Sequence, residues 1–323
     1  MITDMHCHFV PGPFLDFVTR HDEFAIRVAA PQGDDVWARF GSLDVRLNTT
    51  FFDLTKQTAR MRTLGIQRSV LSLATSFIDY SVPADLACRA ARLFNDGLAA
   101  AIEGRVDFRG WAFLPLQDPA AAALELRRCV SELGFVGGHV ASNVNGLHLH
   151  EDMFAPVHRV ASELGVPLFV HPADPAGKER MRDYELTIVA GYLFDNTLNL
   201  LKLVCSGFLD RWPDAKLVFA HTGAFGLLLR ARMQREVDTN PMLSKTLTRP
   251  VGEYMRRLYF DTVCFEPAVL RYATSIIPIE HFVMGSDAPF PLGEPEPVDF
   301  VRKALPADQA HKVLAENFDR LLA

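Results

Sequence analysis

Residues 135–171 read FVGGHVASNVNGLHLHEDMFAPVHRVASELGVPLFVH, and the order of patterns within them decides the fold. An apolar run (135–140) gives way to an Asn- and Gly-containing loop. An amphipathic stretch (153–164) follows and stops at Gly165, and a second apolar run (167–171) ends on His171. Runs apolar on both faces suit parallel strands covered by helices. A glycine just past the last apolar turn supplies a left-handed helix stop. The stretch is a strand–helix–strand unit.

Working outward, the unit recurs. Further strand patterns at 2–6, 69–73, 108–113, 216–221, 258–261 and 282–285 bring the count to eight. Helical patterns lie between them at 54–64, 83–102, 120–133, 186–209, 225–237, 267–275 and 298–304, with a final one from about 307. Asp53 and Asp118 stand where helix N-caps belong, and Gly134 where a helix should stop. Eight such repeats predict an α/β fold, a (β/α)8 TIM barrel with a long insertion after the first strand, at about residues 10–52. The whole chain, 1–323, reads as a single domain. The insertion and the polar loop 172–184 follow strands, so both are expected over the C-terminal mouth, where binding residues of barrels lie.

Composition narrows the class. The chain has 323 residues, a net charge of −6, and 49% hydrophobic and 22% charged residues, as in ordinary globular proteins. No basic stripe points to nucleic acid. No leader pattern or uninterrupted apolar run of about 18 residues points to secretion or a membrane span. Five scattered cysteines without a CxxC pair read as reduced thiols, hence a cytoplasmic location.

The chemistry starts at Asp4-Met5-His6-Cys7-His8. Alternate strand residues share a face, so His6 and His8 can converge on one ion. An isolated HxH is as often coincidence as site. Here, however, the strand 167–171 ends on His171, that at 216–221 ends on His221, and that at 282–285 runs into Asp287. In a barrel these ends open at one face. A proline-and-glycine loop after Asp287 carries Phe290, which is expected to wall a planar substrate. His139 reads as a packed, hydrogen-bonded histidine, with a ligand or substrate contact as its alternative.

These pieces resemble the amidohydrolase superfamily. Within it they are most similar to the branch of aminocarboxymuconate semialdehyde decarboxylase and the aromatic-acid decarboxylases. The matching stretches are DMHCHFVP (4–11), LFVHP (168–172), SGFLDRWPDAKLVFAHTGAF (206–225) and MGSDAPFPLGE (284–294). The resemblance implies one divalent metal, most commonly zinc with manganese as the alternative, held by His6, His8, His171 and Asp287. It implies His221 and Asp287 as catalytic acid/base groups and no organic cofactor. It further implies Arg46 and Arg232 as carboxylate-recognising residues, the second acting across the interface of a homodimer or higher homo-oligomer. The fourth strand lacks the lysine that binuclear relatives carboxylate, so a single metal is expected.

The function that follows is metal-dependent decarboxylation of a small unsaturated or aromatic carboxylic acid. Hydrolysis or hydration of a lactone, amide or unsaturated acid is the alternative, since the same ligands can activate water. Ala173 and Ala288 stand where the decarboxylase pattern has tryptophan and tyrosine, which enlarges the pocket and predicts a different or bulkier substrate. His-x-His, where several aromatic-acid decarboxylases carry Glu-x-His, is a further departure. The expected partner is a small-molecule carboxylate, with neither nucleic acid nor membrane involved.

Overall fold

The apolar runs become strands and the amphipathic runs become the helices that cover them. The computed structural model describes residues 1–41 and 43–323. In chain order its strands are β1 (Thr3–His8), β2 (Ile26–Val28), β3 (Asp35–Phe40), β4 (Leu43–Asn48), β5 (Arg68–Ser72), β6 (Phe108–Phe113), β7 (Gly137–Ala141), β8 (Asn143–Val144), β9 (Leu147–His148), β10 (Leu168–His171), β11 (Leu217–Phe219) and β12 (Tyr259–Phe260). Seven of them form one curled parallel sheet in the order β1-β5-β6-β7-β10-β11-β12. Between β1 and the helix at residue 54, β2–β4 make a separate antiparallel sheet.

The first six α-helices are α1 (Gly12–Arg20), α2 (Leu54–Leu64), α3 (Ala84–Ile102), α4 (Pro119–Leu133), α5 (Ala155–Leu164) and α6 (Tyr192–Cys205). Their ends follow the local chemistry. Asp53 accepts from Thr55 N (2.7 Å) to cap α2, and Asp118 accepts from Ala121 N (3.0 Å) to cap α4. Gly134 and Gly165 close α4 and α5 at φ of 69° and 65°, where a side chain would be strained.

Three expectations need correction. Residues 282–285 do not form a regular strand, although the segment bonds to both edges of the sheet. Val283 N donates to Phe260 O (2.9 Å), Met5 N to Met284 O (2.9 Å) and His8 N to Ala288 O (2.7 Å). The pairing is interrupted at Asp287, which turns to φ 61° between the Met284 and Ala288 bonds. The helix expected from 225 begins at Arg230, because residues 221–229 are spent in turns with positive φ at His221, Thr222 and Ala224. The helix expected at 186–209 is a π-helical turn (Thr187–Gly191), then α6, then a break at Gly207.

Inside the curl, Met5, Val70, Trp111, Phe169, Val218 and Val283 pack into one buried cluster. Trp111 satisfies its indole N–H on Met5 O at 3.0 Å. Each such large side chain contributes about 1.5–3 kcal/mol by burial. The helix Thr187–Cys205 is long and apolar enough to cross a membrane by composition. Yet its Asp195, Asn196, Thr197 and Asn199 are buried, and they bond to neighbouring loops, as described below. Such a helix packs within the protein.

Gly137 allows β7 to approach its neighbours, since a Cβ there would overlap Pro167 O and sit 2.9 Å from the Trp111 ring. Gly137→Ala is expected to lower unfolding stability by about 3 kcal/mol, because backbone cannot step aside as a side chain can. Urea denaturation monitored by circular dichroism would test this, and a midpoint equal to wild type would show that the sheet has slack there.

Candidate metal centre

The C-terminal ends of β1, β10 and β11 and the segment after residue 282 bring five polar side chains into one apolar interior. The β1–β5 register shifts between Asp4 and Cys7. His6 and His8 are fully buried, and His171 and Asp287 nearly so. Asp287 Oδ1 is the focus. It lies 3.1 Å from His6 Nε2, 2.9 Å from His8 Nε2 and 3.9 Å from His171 Nε2. His221 Nε2 stands 3.5 Å from Asp287 Oδ2. Donor atoms of His6, His171, His221 and Asp287 all fall within 4.8 Å of one another. His8 is outside that quartet but touches it through Asp287.

The other face of each ring shows what the cluster is for. His6 Nδ1–H donates to Asp261 Oδ2 (2.7 Å), His8 Nδ1–H to Leu73 O (3.2 Å) and His171 Nδ1–H to Pro172 O (2.9 Å). With its proton on Nδ1, each ring aims an Nε2 lone pair at carboxylate lone pairs. His6 Nε2 and His171 Nε2 are buried without a hydrogen-bond partner among the described residues. Lone pairs converging on lone pairs repel unless a cation lies between them. Bonds of about 2.0–2.2 Å to one ion place donors at these separations, so the residues fit a divalent metal. Clamping the far nitrogen of each ligand is the usual way a metal-binding histidine is oriented.

His221 differs. Its Nδ1 is buried without a partner among the described residues, and its ring is engaged only through Nε2, 3.5 Å from Asp287 Oδ2. Its backbone is held instead: Asn196 Nδ2 donates to Ala220 O (2.8 Å), and Thr222 N donates to Asp261 Oδ1 (2.8 Å). Those clamps secure a left-handed residue, φ 56° at His221.

Electrostatics follow the geometry. Burial alone would strip His6 of charge, but the Asp287 and Asp261 carboxylates outweigh it and hold its pKa up at about 10. Burial pushes His171 down to about 3 and lowers His8 too, despite Asp287 beside both. Burial works against the Asp287 anion, yet His6 and its fellow imidazoles hold that carboxyl well below the usual range.

Sequence reasoning missed four supports. Asp261 grips both His6 and the His221 turn. Its signal was the acid ending the strand 258–261 at mouth level, where other strands ended in histidine. Asp4 accepts from Ser286 N (3.0 Å) and Oγ (2.5 Å) and so sets the turn bearing Asp287. Gly285 lets that turn press on β1, since a Cβ would meet His6 Cβ at 2.8 Å. On α6, a polar stripe ties three mouth loops together. Asp195 accepts from Asn143 Nδ2 (2.9 Å) and Ser142 Oγ after β7 and from Ala176 N (3.5 Å) after β10, Thr197 Oγ1 accepts from Phe225 N (2.9 Å) after β11, and Asn199 Oδ1 accepts from Leu149 N (3.3 Å).

The structure places the other expected residues unevenly. Phe290 packs edge-on against His8 (5.2 Å) and Phe51 (4.8 Å), at the wall of the cluster. Arg46 lies exposed on β4 and is engaged by Asp35 at 2.8 Å. Arg232 is exposed on the helix Arg230–Thr239. Neither arginine is brought to the cluster by a described contact. His139 is packed, as expected, but it is not hydrogen-bonded, because neither ring nitrogen has a partner among the described residues.

Buried imidazoles and a carboxylate at the C-terminal ends of parallel strands make a candidate metal centre in an α/β fold. The chain belongs to the amidohydrolase family, whose profile (Amidohydrolase) matches residues 3–323. It is 30% identical over 228 residues to 2-amino-3-carboxymuconate-6-semialdehyde decarboxylase of Dictyostelium discoideum, covering 70% of this chain and 63% of the relative. It is 36% identical over 174 residues to gamma-resorcylate decarboxylase of Rhodococcus jostii, covering 49% of this chain and 53% of the relative. These matches therefore span between about half and two thirds of those relatives' own lengths. In fold it is similar to a dihydroxybenzoic acid decarboxylase of Polaromonas sp. JS666, solved with bound manganese and the inhibitor 2-nitroresorcinol. That TM-score is 0.81 at 24% identity, covering 99% of this chain and 96% of the other.

Two outcomes test the centre. Asp261→Asn is expected to weaken metal affinity about 10–100-fold, read by chelator competition with circular dichroism unchanged; unaltered affinity would remove Asp261 from the support. In the metal-free protein a His6 pKa of about 10 means a cation at pH 7, and ligation must expel that proton. Metal titration by calorimetry in two buffers of different ionisation enthalpy should therefore count about one proton released at pH 7, with affinity rising as pH rises toward 10. A count of zero would contradict the charged His6.

Proposed function

We propose that this chain catalyses metal-dependent, non-oxidative decarboxylation of a small unsaturated or aromatic carboxylic acid. The observation that carries the reading is the division of labour among the imidazoles. Of the four imidazoles around Asp287, three are clamped through Nδ1, while His221 has no Nδ1 partner among the described residues. Fixed rings suit ligands, and a free ring suits proton transfer.

His6, His8, His171 and Asp287 would hold the ion, zinc or manganese. A divalent cation there supplies Lewis acidity toward a substrate oxygen. The remaining work falls to side chains. Phe290, backed by the buried Phe51, offers an aromatic wall against which a planar acid can lie. His221 and Asp287, 3.5 Å apart, deliver a proton to the carbon bearing the carboxylate. That carbon becomes tetrahedral, its bond to the carboxylate breaks, and the electron pair restores the unsaturation as CO2 leaves. Solvent then reprotonates the pair. Decarboxylation is preferred over hydrolysis because the curated relatives bear decarboxylase names.

The same reading extends to architecture. The segment 282–288, bonded to β12 and β1, acts as the eighth strand of a (β/α)8 barrel forming one domain over 1–323, and residues 10–52 are an insertion above its mouth. Exposed Arg232 is available to a second subunit of a homodimer. The five cysteines, all free, suit a reducing cytoplasm.

Headspace CO2 from hydroxybenzoates and muconic semialdehydes tests the reaction. Chelation should abolish release, and His221→Ala should keep the metal while lowering kcat at least about 100-fold. Activity in metal-free protein, or hydrolysis without CO2, would overturn the assignment.

A further inference from the structure

The anchor of the Asp287 turn has a partner that the centre described above leaves unused. Asp4 is a fully buried carboxylate on β1. Its Oδ1 accepts from His6 N (3.3 Å) and Ser286 N (3.0 Å), and its Oδ2 from Ser286 Oγ (2.5 Å). Ser286 Oγ in turn accepts from Ala288 N at 3.1 Å. Both chain neighbours of Asp287 are therefore tied to Asp4, and so is the backbone of His6. One carboxylate sets the spacing between two of the side chains read as metal ligands.

A buried carboxylate served only by neutral donors is costly without a counter-charge. Among the described residues one cation reaches it: Arg60 of α2, whose Nη1 lies 3.6 Å from Asp4 Oδ2. The Arg60 side chain is 22% exposed, and Asp4 is its one polar partner among the described residues. The guanidinium borders a cleft of about 250 Å³ that it shares with Asn48, Thr50, Pro289 and Glu294. Glu294 is engaged elsewhere, accepting from Glu296 N at 3.1 Å. The charge of Arg60 is thus directed at Asp4 alone.

We propose that Arg60 is a positioning residue. As the counter-charge of Asp4 it holds that carboxylate against Ser286, and through Ser286 it fixes where Asp287 meets His6. The inference rests on the reading of His6 and Asp287 as metal ligands and is independent of the reaction assigned to them. A guanidinium at 3.6 Å supplies charge without a short directional bond, so another cation in the same place should serve. With the charge removed, Asp4 gains by turning toward the open cleft and away from Ser286. Asp287, held at φ 61°, then loses the tether on both its neighbours. Backbone of that kind persists only where its surroundings over-determine it.

The test reads zinc affinity by chelator competition, which needs no turnover, with circular dichroism to confirm that each variant is folded. Arg60→Met, which keeps the stem and removes the charge, should weaken zinc about tenfold, the low end for a group behind a ligand. Arg60→Lys should recover most of that loss. In Arg60→Ala, millimolar guanidinium chloride, far below denaturing levels, should restore affinity saturably, whereas sodium chloride at the same concentration should not. Asp4→Asn should lower affinity by itself, and adding Arg60→Met to it should cost nothing further, because the two act as one unit. Unchanged zinc affinity in Arg60→Met overturns the proposal. So do losses that add in the double variant, or a loss that neither lysine nor guanidinium restores, and Arg60 is then a packing residue. Should Asp4→Asn fail to fold, the lysine and guanidinium arms decide. A wild type that binds no divalent ion would instead sink the metal centre itself and this proposal with it, a result distinct from a variant that binds as well as wild type.

Discussion

The arrangement of this protein depends on one electrostatic constraint, several lone pairs forced toward a single carboxylate oxygen in a dry interior. His6, His8 and His171 direct Nε2 at Asp287 Oδ1 within 2.9–3.9 Å. Water cannot dilute the repulsion, because the rings are buried. Protonating His6 relieves part of it, and a divalent cation would relieve it more completely, which would couple the metal-free charge state to metal affinity. Much of the local structure can be understood as holding that unfavourable convergence in place. Asp261 orients His6, Asp4 fixes the turn that carries Asp287, and Gly285 removes the side chain that would push them apart.

Two kinds of support meet at the mouth. The strands hold His6, His8 and His171 through backbone ladders, with an aromatic and aliphatic cluster packed beneath. The turns around His221 have no ladder and are held by side chains, Asn196 and Thr197 from α6 and Asp261 from the end of β12. Residues at positive φ cost energy and persist only where surroundings over-determine them. The imidazole beside Asp287 that lacks an Nδ1 partner among the described residues thus sits on a turn held by side chains, whereas the three with Nδ1 clamps stand on β1 and β10. The polar stripe of α6 also links the loops after β7, β10 and β11, so a change in one has a physical route to the others.

Much of this was legible in the residues themselves. The strand–helix alternation, the caps at Asp53 and Asp118 and the stops at Gly134 and Gly165 are local, and local chemistry decided them. The strand-ending histidines were legible because parallel strands in one sheet must open their C-terminal ends at the same face. Asp261 and the α6 stripe were less visible. A single acid after a short strand, or Asp-Asn-Thr within an apolar helix, has several ordinary explanations until its partners are known. The left-handed turns at His221 and Asp287 were also hidden, since neither residue type announces positive φ, and they displaced a helix start and broke a strand.

By itself, then, the amino-acid order determined the class of fold, the alternation of strand and helix and the residue types gathered at the mouth, because hydrophobic period and capping act over a few residues. Only the tertiary structure decided which nitrogen of each histidine is free, which ring is left unclamped, that Arg46 is engaged by Asp35, and that His139 lies beneath the cluster with both nitrogens unmet. Those facts depend on contacts between segments tens to hundreds of residues apart, and no local pattern encodes the distance between two atoms that meet only when the sheet curls.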